Sequence, residues 1–207
     1  KFKDFLNINK RNNDGNTAFM LAVQNTYTDV ITFLFSTFKD AIDINSQNNN
    51  GNTTLMLATQ NNINEKVMQW LCDIFEDTID INKQDLDGNT VLMLAVKKTN
   101  VKIVEYLSNM FKDKIDLSKQ NNNSDTALIL AVRNTNIKII QHLCSTFNNS
   151  IKVNRQDKNG DTILLLAIQQ ANFDVIKLIL KQYRDYIIIN IQNKNGNTAL
   201  MLAAQQS

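Results

Sequence analysis

The 207 residues are 43% hydrophobic and carry 22 Lys and Arg against 20 Asp and Glu. That apolar share can bury a sizeable core, and a net charge of +2 removes any whole-chain electrostatic case for nucleic acid or an anionic membrane. No apolar run reaches the roughly 18 residues that span a bilayer, no signal-like segment opens the chain, and two cysteines with one histidine fit no zinc spacing.

In chain order, residues 1–16 hold the tail of one unit, with Phe2 and a first turn ending at Asp14-Gly15. A motif then recurs as Thr17-Ala-Phe-Met-Leu-Ala22, Thr53-Thr-Leu-Met-Leu-Ala58, Thr90-Val-Leu-Met-Leu-Ala95, Thr126-Ala-Leu-Ile-Leu-Ala131, Thr162-Ile-Leu-Leu-Leu-Ala167 and Thr198-Ala-Leu-Met-Leu-Ala203, the threonines 36, 37, 36, 36 and 36 residues apart. Such a period signals stacked supersecondary units. The reading is a single array over 1–207, divided as 1–16, 17–52, 53–89, 90–125, 126–161, 162–197 and 198–207, and expected to be a fragment because both ends fall inside a unit. All five glycines stand two residues before one of the threonines, and Ser124 fills the sixth slot.

Each unit reads alike. A polar stretch such as Gln84-Asp-Leu-Asp-Gly88 supplies a turn, since Asn and Asp bond their own backbone and Gly accepts positive φ. Thr90 caps a short helix whose Leu92, Leu94, Ala95 and Val96 demand packing on both sides. After a polar break at 97–100, Ile103, Val104, Leu107, Met110 and Phe111 line one face of a second helix, and Ile115-Asp-Leu117 closes the unit in extended form.

The stretch Ile81-Asn-Lys-Gln-Asp-Leu-Asp-Gly-Asn-Thr-Val-Leu-Met-Leu-Ala95 resembles the ankyrin repeat nearly position by position, and the resemblance covers essentially the whole chain. It implies an all-α, ankyrin-type repeat solenoid of helix-turn-helix units joined by β-turn fingers. Three features depart from the family. No proline occurs. Met20, Met56, Met93, Ile129, Leu165 and Met201 replace its histidine, so apolar packing is expected to stand in for that residue's contacts between repeats. The period also exceeds the family's by about three residues, with Phe38, Phe75, Phe111, Phe147 and Tyr183 closing each second helix as an expected stacked ladder.

A single His142 excludes most catalytic constellations and reads as structural; the glycines are too few for a phosphate loop, and turn chemistry accounts for the carboxylates. Cys72 and Cys144 read as buried thiols about 20 Å apart that stay reduced. No enzyme activity, metal or cofactor is expected.

Binding is the expectation instead. The resemblance implies a concave surface made of finger tips and first-helix ends. The tips are Asn13-Asp14, Asn49-Asn50, Leu86-Asp87, Asn122-Asn123, Lys158-Asn159 and Lys194-Asn195, followed behind the Gly or Ser by Asn16, Asn52, Asn89, Asp125, Asp161 and Asn197. The helix ends are Gln24-Asn25, Gln60-Asn61, Lys97-Lys98, Arg133-Asn134, Gln169-Gln170 and Gln205-Gln206. Lys97, Lys98 and Arg133 concentrate positive charge, which points to a partner protein with an acidic segment. Reversing Lys97 and Arg133 to Glu is expected to weaken binding and leave the melting midpoint in place. The chain is expected to be a cytoplasmic monomeric scaffold that neither binds nucleic acid nor inserts in a membrane. The alternatives are a regulatory ankyrin region of a larger enzyme or channel, and a secreted effector.

Overall fold

The computed structural model describes residues 6–60 and 65–206, except the side chain of Asn149; Phe2 and Asn61 lie outside the described residues. Two compact units divide the chain, residues 1–94 and 95–207. The first holds α1 (Ala18–Gln24), α2 (Thr28–Phe38), α3 (Thr54–Gln60) and α4 (Glu65–Phe75). The boundary falls within α5 (Val91–Lys97), and the second unit continues with α6 (Val101–Met110), α7 (Ala127–Arg133), α8 (Ile137–Thr146), α9 (Ile163–Gln169), α10 (Phe173–Tyr183) and α11 (Ala199–Ala204). No strand occurs among the described residues.

Threonine hydroxyls start the first helices by accepting the amide three residues on, as Thr17 does from Met20 at 3.2 Å and Thr126 from Ile129 at 3.2 Å. The methionine sulfur of α1 returns the favour, taking the Thr17 amide at 3.5 Å. The second helices α6, α8 and α10 are capped by asparagines, Asn100, Asn136 and Asn172 accepting from Ile103, Ile139 and Val175, whereas α2 starts at Tyr27 without a side-chain cap. These fixed starts aim the apolar faces inward. In the first unit α1 packs on α2 and α3, and α3 on α4; in the second, α7 packs on α8 and α9, and α9 on α10 and α11. Thr54 through Thr59 in α3, Ala127 through Val132 in α7 and Ile163 through Ala167 in α9 are all buried, as the composition of these first helices demands, whereas Leu200 and Met201 of α11 are exposed.

Two expectations change in detail. Phe75 meets Phe19 and Phe35 edge-on at 6.2 and 5.8 Å, and in the second unit, among the described residues, Phe111, Phe147 and Tyr183 are buried without a ring contact between them, so those three seal their repeats without stacking on one another. Ile115-Asp-Leu117 runs into a turn at residues 117–118, and Ile115, Leu117 and Met110 are half-buried.

Tyr183 carries the one hydroxyl in that aromatic series. Its oxygen is buried without a nitrogen or oxygen partner among the described residues; burial first, and then the Cys144 thiol hydrogen-bonded beside it, push its ionisation far up. Tyr183→Phe should leave stability within about 1 kcal/mol of the parent, read from urea melts, because the desolvated hydroxyl and its bond to the Cys144 thiol are lost together and the ring is kept. Burial likewise pushes the Cys72 thiol up to about 12 and that of Cys144 up to about 11. Both cysteines are free. A chromogenic disulfide reagent at neutral pH should find neither thiol in the native protein and both after denaturation.

Glycine is decisive at the fingers. Gly51 holds φ +74°, and a Cβ there would lie 2.8 Å from the Leu86 amide nitrogen of the next finger. Ser124 occupies the same left-handed conformation at φ +60°. Ser124→Gly should raise stability by about 1 kcal/mol in the same melts, by relieving the left-handed cost of an L side chain.

Candidate docking surface

Each finger is a turn locked by one side chain. Asn121 Oδ1 accepts from the amides of Asn123 and Asp125 at 2.9 and 3.0 Å, while the Ser124 amide donates to the Asn121 carbonyl at 2.8 Å. Asn48, Asp157 and Asn193 repeat the arrangement. Tips are tied to their neighbours through the backbone: Leu86 N donates to Asn50 O at 3.0 Å in the first unit, and Lys158 N to Asn123 O at 3.0 Å and Lys194 N to Asn159 O at 2.9 Å in the second. The backbone is thus consumed by the fold, and the side chains of Leu86, Asp87, Asn122, Asn123, Lys158 and Asn159 are left exposed.

A second set of bonds joins repeats below the tips. Gln47 Nε2 donates to the carbonyls of Gly51 and Gln84 at 2.6 and 2.8 Å, and Gln156 Nε2 to those of Gly160 and Gln192 at 2.6 and 3.0 Å. Polar contacts between repeats are thus made in part by these glutamines; the residues in the family's histidine slot, from Met20 to Leu165, are buried apolar packing.

The residues behind the glycines do not belong to the surface. Asn89, Asp125 and Asp161 are 1%, 4% and 4% exposed. Asp125 and Asp161 are held at the finger bases by helix ends eight residues on, Arg133 and Gln169, and Asn89 by Asp85. Asp161 Oδ1 accepts from Gln169 Nε2 at 3.0 Å and from Asn193 Nδ2 at 2.8 Å; Asn52 Oδ1 accepts from Gln60 Nε2 at 2.9 Å; Asn89 lies against Asp85. Their polarity serves internal satisfaction, and the expectation that they touch a partner is corrected.

Arg133 follows the same pattern with charge. Its Nε meets Asp125 at 3.0 Å and its guanidinium also pairs with Asp157, so it bridges two successive fingers, and both carboxylates are buried. Burial raises the pKa of Asp125, with the Arg133 hydrogen bond opposing. A Glu at 133 would face two buried carboxylates, so Arg133→Glu should lower the melting midpoint, against the expectation from the sequence that it stays in place. Lys97 and Lys98, by contrast, are exposed and form no ion pair among the described residues. Asn134 and Gln170 are exposed while donating back to the Val96 and Arg133 carbonyls at 3.2 and 3.0 Å.

His142 is half-buried in a groove of about 450 Å³ bounded by Glu105, Lys138, Gln141 and Gln182. Its pKa is lowered by burial, which Glu105 opposes. No group of three metal-ligating side chains occurs among the described residues.

A family model for ankyrin repeats, three copies long, matches residues 2–85, 73–157 and 147–207. The chain belongs to the ankyrin repeat family. Repeats of this family are protein–protein interaction modules, which agrees with a finger backbone locked into the fold and finger side chains left outside. Among solved structures the chain is similar to the ankyrin repeat domain of Bcl-3, described as a unique member of the IkappaB protein family, at 22% identity over 98% of this chain and 84% of that one, with a TM-score of 0.77. That likeness is one of fold. No curated protein matches the chain by sequence. Among the described residues, no helix of these ankyrin repeats is long and apolar enough to cross a membrane.

Proposed function

We propose that the chain is a protein-binding scaffold that holds a partner protein along the side bearing its finger tips and first-helix ends. One observation carries this reading. The finger backbone and the buried ring of side chains beneath it recur from unit to unit, whereas the exposed positions differ: Leu86-Asp87, Asn122-Asn123 and Lys158-Asn159 at the tips, Lys97-Lys98, Asn134 and Gln169-Gln170 at the helix ends. A rigid frame that presents variable side chains is what selective recognition needs.

Selection of peptides from a random display library on the immobilised chain tests it. Selected peptides should lose binding when Asn123 and Lys158 are both replaced by Glu, and keep it when Lys138 and Gln141 on the second helix α8 are replaced instead. Peptides indifferent to the first pair and sensitive to the second would place the docking surface on the second helices.

A further inference from the structure

The near-neutral total conceals a separation of charge between the two units. Residues 1–94 hold seven Lys and Arg against twelve Asp and Glu, a net −5; residues 95–207 hold fifteen against eight, a net +7. Within the second unit, the acidic residues on the finger side are Asp125, Asp157 and Asp161, and all three are buried at finger bases. Two of them are held by Arg133. The remaining carboxylates of this unit, Glu105, Asp113, Asp116, Asp174 and Asp185, sit on second helices or in the segments that follow them. The charge that the finger side turns to solvent is therefore positive only, from Lys97 and Lys98 at the end of α5 and Lys158 and Lys194 on two adjacent tips.

Resting on the docking reading above, we propose that this side of residues 95–207 takes an acidic stretch of polypeptide, its carboxylates facing Lys97, Lys98, Lys158 and Lys194. Arg133 is a positioning residue that fixes successive fingers relative to each other and does not meet the partner's charge. Lysines offer mobile point charges suited to carboxylates at varied spacing; Lys158 Nζ rests on Asn123 Oδ1 at 2.9 Å and can turn from it to the partner, and the exposed amide of Asn159 can bond a peptide backbone. The large exposed aromatics of this unit, Phe173 and Tyr186, lie at the start of α10 and beyond its end. The lysines are thus not interleaved with stacking platforms, which favours polypeptide over single-stranded nucleic acid.

The test uses the 207-residue chain, a labelled Glu/Ser peptide, its Gln/Ser counterpart and an oligothymidylate. The acidic peptide should bind, the Gln/Ser peptide should not, and affinity should fall at least about tenfold between about 0.05 and about 0.2 M salt as the charges are screened. Replacing Lys97, Lys98, Lys158 and Lys194 by Gln should lower affinity about tenfold or more with the melting midpoint unchanged; Lys158→Gln with Lys194→Gln alone should give part of that loss. Lys138→Gln with Lys177→Gln, on second helices, should change it less than about twofold. Equal losses in the two sets, no binding of the acidic peptide, or tighter binding of the oligothymidylate would overturn the proposal. If display selection returns neutral or basic peptides that still depend on Asn123 and Lys158, the acidic partner is wrong and the docking surface stands.

Discussion

Arg133→Ala should destabilise the fold by about 3 kcal/mol, because it strands two buried carboxylates without a counter-charge. The cost of breaking a buried ion pair from one side runs to about 3–5 kcal/mol, and the lower end applies because the Arg133 side chain is 32% exposed. Arg133→Glu should cost more. Other fingers show how the clamp can be removed without that penalty: Asn52 with Gln60 makes the corresponding bond with no charge at all, and Asn48, Asn121 and Asn193 occupy the slot of Asp157. The triple change Asp125→Asn, Arg133→Gln, Asp157→Asn should therefore lie within about 1 kcal/mol of the parent in urea melts. An Arg133→Ala variant as stable as the parent would mean that the guanidinium does not hold the fingers.

Leu94→Ala should cost about 2 to 5 kcal/mol, through lost burial and the cavity left behind. Leu94 is 6% exposed and Val91 to Val96 are all buried, so truncating its side chain leaves a space among packed residues. Leu200→Ala offers the contrast, since that side chain is 79% exposed; it should change stability by less than about 0.5 kcal/mol. Equal effects of the two substitutions in chemical melts would show that the packed face of the first helices has been misassigned.

The repeat, the threonine caps and the enclosed first helices were legible because period, cap chemistry and apolar density agree in every unit. The turns between helices were less so. Thr99 and Thr135 take positive φ there, 54° and 53°, a conformation in which β-branched residues are rare and for which glycine or asparagine would have been the written signal. Surface membership was legible at the tips and misleading behind the glycines. Polar type alone made Asn89, Asp125 and Asp161 look like contact residues, yet the spacing of eight that links Asn52 to Gln60, Asp125 to Arg133 and Asp161 to Gln169 was present in the sequence. Reading it would have moved Arg133 indoors. The separation of charge at residue 94 escaped because the two halves cancel in the total, and only the division into compact units shows where to count.

The most direct measurement is amide chemical-shift mapping on the labelled chain, titrated with the tightest peptide from display selection. Perturbations should gather at residues 97–100, 121–124, 133–134 and 157–160, where tips and first-helix ends meet solvent. Perturbations confined to α6, α8 and α10, around the groove that holds His142, would contradict the assignment of the docking surface.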